Sequence, residues 1–358
     1  MRRLLILLLF AITLLSGQII GQDVNGDLFK IDNKTILKVY GSHYERGYAH
    51  GFLLAEEVKV EIEQFFILYV FSNDLDAYAQ ARTYFIENFT VERKYQDEIR
   101  GIFDGISDSD VGLFMREVDR DIEQEDILAF TGFTDLATCG LFNANANFGC
   151  STLADWGRST ENDGELQGDL VVSRALDGHM EQIINQNHSL IVHFPSEEDE
   201  TPWANICFPG MVSTFSCIGQ HGVAAFQNFG GRNRITDEEN LHPVMLAIRN
   251  GIEVYDVNGD DMYDPDDIRT AIESENSLTP WIVTAVDIES GIVIETNNEN
   301  GTEVRNEENN TVIPNNNIAA TNHYRVLYQL YACNRYANIA DSLERDCQCN
   351  DRAQLEHT

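Results

Sequence analysis

The chain has 358 residues, room for one large domain or two ordinary ones, and carries 59 acidic against 24 basic side chains for a formal net charge of −35. So acidic a surface repels phosphate backbones, which argues against nucleic acid as a partner. The acidic residues are spread along a chain that is 43% hydrophobic, which argues against intrinsic disorder and leaves a solvated acidic surface around a sizeable core.

Residues 1–21 read as a secretory signal peptide. Arg2 and Arg3 precede the apolar run Leu4 to Leu15, and Ser16-Gly17 and Gly21 offer small residues for cleavage. The run is too short to span a bilayer comfortably and no second one follows, so no stable membrane anchor is expected. The expected destination is the cell exterior or a lysosome-like compartment. Five sequons, beginning at Asn33, Asn88, Asn187, Asn300 and Asn309, are then candidate glycan sites on surface loops.

Residues 22–149 read as largely helical beyond one opening strand, Thr35 to Tyr40. Gly47 to Tyr69 carries Phe52, Leu53, Ala55, Val58, Ile62, Phe65 and Phe66 at helical spacing. Leu75 to Asn88, Lys94 to Ile106, Val111 to Ile122 and the shorter Glu125 to Leu136 continue that pattern, divided by Ser72-Asn73-Asp74 and Asp108-Ser109-Asp110.

At Cys150 the character changes. Ser151–Leu153, Leu170–Arg174, Ser189–Phe194, Trp203–Phe208, Met211–Ile218, Val223–Asn228, Trp281–Asp287 and Gly291–Glu295 are short apolar or alternating runs, as expected for strands. Pro243–Tyr255 and Pro265–Glu273 interrupt them as helices. This order predicts a layered α+β architecture over 150–340, with a polar, Cys-containing tail at 341–358.

The seven cysteines are Cys139, Cys150, Cys207, Cys217, Cys333, Cys347 and Cys349. On an oxidising route six of them suffice for three disulfides, leaving one free thiol. Context selects Cys150. Gly149 before it and Ser151-Thr152 after it suit a peptide bond that the thiol can cut itself, by an N→S acyl shift and hydrolysis. The new α-amine could then act as base for its own thiol.

Downstream residues offer the remaining parts of an amide-cleaving site. Asp177 could hold the amine of Cys150, and Arg174 could favour its thiolate; on the residues alone the couple reads equally as a surface ion pair. Asn228 in Phe226-Gln227-Asn228 and Asn322 in Thr321-Asn322-His323 end apolar runs, where an N–H could face an oxyanion. Taken singly, each reads as a turn residue. His43, His50, His221 and His323 read as structural or pocket-lining.

Gly149-Cys150-Ser151-Thr152, Arg174-Ala175-Leu176-Asp177, Phe226-Gln227-Asn228 and Thr321-Asn322-His323 together resemble the cysteine N-terminal-nucleophile hydrolases of the acyl-coenzyme A:6-aminopenicillanate acyltransferase type. Choloylglycine hydrolases, penicillin V acylases and acid ceramidase are more distant relatives. The segment Gly41-Ser42-His43-Tyr44-Glu45-Arg46-Gly47-Tyr48-Ala49-His50-Gly51 is similar to the opening motif of the acyltransferase-type proteins. The resemblance spans about Tyr40 to Arg335. It implies a four-layer αββα sandwich with Cys150 as nucleophile and base, Asp177 and Arg174 orienting it, and the Asn228 amide and Asn322 side chain as oxyanion hole. Arg335 would match a C-terminal Arg, although it follows Asn322 closely and reads equally as a helix-surface residue. Ala175 departs from the family's Asn, and Gly219-Gln220-His221-Gly222 from its Asn-x-x-Gly.

Asp256, Asn258, Asp260, Met262 (by its carbonyl), Asp264 and Asp267 fall at EF-hand ligand positions 1, 3, 5, 7, 9 and 12, between two helical patterns. The 256–267 loop is thus a candidate structural Ca²⁺ site or, equally, an acidic turn. No cofactor is expected for catalysis.

The function expected is a secreted amidohydrolase or acyltransferase. It would be self-cleaved between Gly149 and Cys150 into small and large chains that stay together, and would act on a small acylated substrate through an acyl-Cys150 thioester. The alternatives are a phospholipase-B-like ester hydrolase or a non-catalytic, secreted Ca²⁺-binding protein.

Overall fold

The computed structural model describes residues 18–23, 25–32, 34–142, 144, 148–178, 187–230, 235–309, 316–327 and 333–345. The expected signal peptide up to residue 17, the sequon at Asn33, Cys347, Cys349 and the tail from 346 lie outside them. The chain opens with strands β1 (Gln18–Asp23), β2 (Gly26–Ile31) and β3 (Lys34–Gly41). Where one strand is expected there is thus a three-strand meander, turned at Asp32 with a positive φ of 48°. Cleavage after Gly17 leaves β1 whole, whereas cleavage after Gly21 removes its first four residues.

Helices α1 (His43–Leu53) and α2 (Ala55–Val60) follow, and α2 runs on into a π-helical stretch, Glu61–Val70. Next come α3 (Leu75–Asn88) and α4 (Arg93–Asp108). The expected helix at Val111–Ile122 is instead a ribbon of β4 (Phe114–Met115) and β5 (Arg120–Asp121), because Gly112 and Asp119 turn the chain at φ of 65° and 54°. Helices α5 (Gln124–Thr131) and α6 (Phe133–Thr138) complete this part.

The second part contains β6 (Phe148–Asp155), β7 (Val171–Gly178), β8 (Ser189–Pro195), β9 (Trp203–Cys207), β10 (Ser216–Gly219) and β11 (Ala224–Phe229). It continues through α7 (Val244–Glu253), α8 (Pro265–Glu273), β12 (Trp281–Val286), β13 (Gly291–Asn297), β14 (Gly301–Arg305), β15 (Asn317–Ala320) and α9 (Asn334–Arg345). The expected strand from Met211 begins only at Ser216, since Gly210 turns the chain at φ 91°. Helix α9 takes in residues up to Arg345 that the sequence assigned partly to a polar tail.

Two sheets result. Ten strands lie in the order β1-β2-β3-β8-β9-β10-β11-β12-β13-β14, and three in the order β15-β6-β7. Every junction in both is antiparallel except β3–β8, where Thr35 to Gly41 run parallel to Ser189 to Pro195. Residues before and after Cys150 therefore share one sheet.

Alternation along the strands sorts the core. Trp281, Val283 and Ala285 of β12 face the helices, with Phe65, Ile102 and Ile248 on the same side. Ile282 and Val286 face the small sheet, where they meet Ala154, Trp156, Ile318 and Ala320. Leu153 and Ala319, on the far side of the small sheet, are covered by Tyr336, Ile339, Ala340 and Leu343 of α9. Each of these buried Val, Leu, Ile and Phe side chains contributes roughly 1.5–3 kcal/mol over an exposed one.

Helices α1 and α4 touch backbone to backbone through glycines. A Cβ on Gly47 or Gly51 would lie 2.1 Å from Glu98 O or 2.0 Å from Ile102 O, and one on Gly101 or Gly105 would lie 2.2 Å from Tyr44 O or 2.3 Å from Tyr48 O. The two glycine pairs, each spaced by four, let polar groups on the two helices meet below the surface.

Cys139, Cys150, Cys207, Cys217 and Cys333 are all free thiols, so no disulfide forms among the described residues, in contrast to the expected three-bridge framework. Cys207, Cys217 and Cys333 are packed into the apolar clusters as small hydrophobic residues. Of the sequons, Asn300 and Asn309 lie exposed in turns, while Asn88 and Asn187 are half-buried. No helix among the described residues is long and apolar enough to cross a membrane.

Candidate active site

Strand β6 carries residues 150, 152 and 154 on the face turned to the large sheet, and residues 149, 151 and 153 on the face turned to α9. Cys150 is fully buried on the first face. It is opposite Leu176 in β7, and Gly149 is opposite Asp177. The Gly149–Cys150 peptide therefore lies within a paired strand, with both proposed catalytic residues of β7 near it.

Arg174 Nη2 stands 3.6 Å from Cys150 Sγ and donates to Gln227 O at 3.0 Å. Its guanidinium lies 5.3 Å from the Phe215 ring centroid. Burial pushes the Cys150 thiol up from its ordinary pKa, opposed chiefly by the Arg174 charge and then by a hydrogen bond from the Phe229 backbone. Burial also lowers Arg174, whose guanidinium pairs with no carboxylate among the described residues.

The Cys150 main chain is held from the other side. Its amide donates to Asn322 Oδ1 at 2.7 Å, and Asn322 Nδ2 donates to Phe229 O at 2.8 Å. Arg335, the third residue of the described segment containing α9, donates from Nη2 to the same Asn322 oxygen. Its Nη1 donates to Cys150 O and Ser151 Oγ, each at 3.2 Å, and to Asp177 Oδ2 at 2.9 Å. The Asp177–Arg335 pair is open to solvent, with side chains 56% and 42% exposed.

Asn228 is buried beside Thr152, two residues along β6 from Cys150. Thr152 Oγ1 donates to its Oδ1 at 3.0 Å, and its Nδ2 donates to Thr321 O at 3.4 Å. Thus Cys150, Arg174, Asp177, Asn322 and Arg335 form one contiguous group, and Asn228 braces the strand beneath it. Beside the thiol is a narrow apolar slot lined by Phe133, Phe208, Phe215, Phe229, Leu176 and Thr134, with Arg174 and Gln227 at its polar wall. The Phe229 amide and the phenylalanine lining were not picked out from the sequence; Phe229 directly follows Gln227-Asn228, whereas Phe133, Phe208 and Phe215 arrive from distant segments without a local signal.

The acidic loop is built on backbone amides. Asp256 Oδ1 accepts from Gly259 and Asp260 at 2.7 and 2.8 Å, and its Oδ2 from Asp261 at 3.0 Å. Asn258 Oδ1 accepts from Asp260 N at 3.0 Å, Asp260 Oδ1 from Met262 N at 2.9 Å, and Asp264 Oδ1 from Asp266 N at 2.8 Å. Asp267 Oδ1 takes the amides of Val257 and Asn258 at 2.7 and 3.2 Å. Among the described residues, the group whose ligand atoms do converge, within 4.8 Å of one another, is His43, Glu200 and Glu253.

No family model matches the chain, and no curated protein matches it. Among solved structures it is similar to the Caenorhabditis elegans N-acylethanolamine-hydrolyzing acid amidase (NAAA) ortholog, at 14% identity over 49% of this chain and 71% of that chain, with a TM-score of 0.36.

Proposed function

We propose that this protein is a self-processing cysteine amidohydrolase or acyltransferase whose helix–sheet–sheet–helix layering is the αββα sandwich of N-terminal-nucleophile hydrolases. The observation that carries the reading is the convergence of Arg174, Asn322 and Arg335, from three separate segments, on the sulfur and main chain of Cys150.

In the first reaction Cys150 Sγ attacks the Gly149 carbonyl carbon. A C–S bond forms, the C–N bond breaks, and the thiol proton ends on the leaving nitrogen. Water then hydrolyses the thioester, giving a Gly149 carboxylate and a Cys150 with free amine and thiol. Asn322 Oδ1 already holds the nitrogen that becomes the amine. Arg335 beside it disfavours the protonated form, which leaves the amine able to accept the thiol proton. In turnover the same sulfur takes the acyl group of a small amide, the substrate amine leaves, and water or a second amine resolves the acyl-Cys150 thioester. The chemistry needs no metal or cofactor. The Phe133–Phe208–Phe215–Phe229 slot favours an apolar acyl group. Because β3 pairs with β8 in one sheet, the two chains stay associated after scission. Secretion, or delivery to a lysosome-like compartment, is part of the proposal, as is a structural Ca²⁺ at 256–267.

A denaturing gel of purified protein tests it. Two fragments meeting at Gly149–Cys150, the larger beginning at Cys150 by N-terminal sequencing, are expected, and Cys150→Ala should give a single chain. An intact junction in material that hydrolyses amides refutes the proposal.

A further inference from the structure

Four cationic and four anionic groups from four separated segments are bound into one cluster, with Lys94 and Glu197 at its partly exposed edge and the other side chains buried. His43 and Arg46 come from α1, Lys94 and Glu98 from α4, Glu197 and Glu200 from the loop after β8, and Arg249 and Glu253 from α7. Arg249 donates from Nη2 to Glu98 at 2.6 Å and from Nε to Glu253 at 2.9 Å. Arg46 reaches Glu197 and Glu200 at 3.3 and 3.0 Å, and Lys94 reaches Glu200 and Glu253 at 3.2 and 2.8 Å. His43 Nδ1 lies 2.7 Å from Glu98 Oε2, and Nε2 lies 2.8 Å from Glu200 Oε1. With a carboxylate at each ring nitrogen, only the imidazolium donates to both, and only then do the charges balance.

The cluster ends on the wall of the slot. Arg249 Nη1 donates to Val212 O at 2.6 Å, and Gly210 N donates to His50 Nε2 at 3.0 Å. Both bonds fall on residues 208–215, the connection between β9 and β10, whose end residues Phe208 and Phe215 line the slot. Phe215 in turn lies against the Arg174 guanidinium that faces Cys150, and its carbonyl accepts from Gln227 N at 2.9 Å. His50, fully enclosed, is pushed down to about 4 by burial, so its ring is neutral and free to accept the Gly210 proton.

We infer that His43, His50 and Arg249 are positioning residues: through Val212 and Gly210 they clamp the 208–215 connection, and so set Phe215 and Arg174 against the Cys150 thiol. The inference gives the Gly41–Gly51 segment a task, and it rests on the Cys150 chemistry proposed above. For His43, burial works downward, but the hydrogen bonds it donates to Glu200 and Glu98 outweigh it and raise the ring above its ordinary value. The charged and titratable groups that bear on it are Glu98, Tyr95, Lys94, Arg249, Glu253, Arg46, Glu197 and Glu200, with neutral His50 and His193 behind Arg249.

The test uses the full chain and two readouts, hydrogen exchange of amides 209–215 and the first-order rate of Gly149–Cys150 scission, in wild type, Arg249→Lys, His50→Leu and His50→Gln. Arg249→Lys keeps the cluster's charge but shortens the reach to Val212. It should speed exchange of the connection at least tenfold and slow scission at least fivefold, while α4 amides change less than threefold. His50→Leu should do the same at Gly210, and His50→Gln, which retains an acceptor, should recover wild-type behaviour. The clamp is overturned if the connection stays protected in both loss variants, if exchange rises without a change in scission, or if α4 loosens equally. Failure of the underlying chemistry shows separately, as a wild-type chain that never cleaves.

Discussion

One nitrogen of Arg174 is shared between the Cys150 sulfur, 3.6 Å away, and the carbonyl of Gln227, 3.0 Å away. The carbonyl fixes the guanidinium, and the guanidinium is the strongest influence holding the buried thiol's pKa down. Arg174→Met should therefore move the pH profile of Cys150 alkylation to higher pH, whereas Arg174→Lys should move it less. Iodoacetamide labelling followed by peptide mapping separates Cys150 from the other thiols. Superimposable profiles for wild type and Arg174→Met would remove Arg174 from the mechanism.

Asn322 accepts the Cys150 amide proton and donates to Phe229 O, so it joins β6 to the end of β11 at the bond to be cut. Asn322→Ala removes the acceptor for the emerging amine and the side-chain donor proposed for the oxyanion. Scission and turnover should each fall by roughly 10²–10³-fold. Time courses on denaturing gels give the first rate directly, and a loss below threefold would reassign Asn322 to the turn role that its sequence context also allows.

What the sequence made legible follows from how local each signal was. Leu75–Asn88 and Pro265–Glu273 form as read, because a cap or a proline starts each and helical spacing fills it. Val111–Ile122 has apolar residues at helical intervals, but two left-handed residues break it into a ribbon, and that conformation is invisible in hydrophobicity. Cys150, Arg174, Asn322 and Arg335 were named from segments that resemble a family's motifs, and the fold brings the four into contact. Their geometry could not be foreseen. Asp177 was expected on the amine of Cys150, yet strand alternation turns it to the outer face, onto Arg335. The buried ion cluster was illegible for a different reason: it needs the α1–α4 glycine contact, which brings residues 43 and 98 together.

Stability should fall as pH rises from about 6.5 to 8. Burial raises Glu61 to about 8 and Asp135 and Asp155 each to about 7, so these carboxyls are protonated when folded and ionised when unfolded across that window. A raised carboxyl pKa contributes stability that is full below its unfolded value and is lost as pH climbs through its folded value. His43 and His242, also raised, lose their contributions in the same direction. Buried neutral His50 and His188, pushed to about 4, oppose this only below about 6.5. The three carboxyls together amount to about 3 kcal/mol. Thermal unfolding of the Cys150→Ala chain at pH 6.5 and 8 reads the difference, and Glu61→Gln should flatten it. A higher Tm at pH 8 would contradict the burial assigned to these groups.

The acidic loop makes the last prediction. Asp261 occupies the sixth loop position at φ 65°, the left-handed conformation that glycine supplies in an EF-hand. Asp256 caps three amides and Asp267 three more, so the loop holds its turn on its own carboxylates. That arrangement crowds negative charge: burial, assisted by neighbouring carboxylates, raises Asp264 and Asp267. A cation would relieve the crowding. The short Asp267 in place of Glu points to weak affinity, with a Kd on the order of 10⁻⁴–10⁻³ M. At 10 mM Ca²⁺ this adds about 1.4–2.7 kcal/mol, which raises Tm by several degrees, and Mg²⁺ at the same concentration should do much less. Asp256→Ala should lower the metal-free Tm through its lost caps and abolish the Ca²⁺ response. Scission at Cys150 should be indifferent to a chelator, since the hydrogen bonds of Asp256, Asp264 and Asp267 stay within the loop. A Tm unmoved by Ca²⁺, or moved equally in Asp256→Ala, would make the loop an acidic turn held by its caps alone.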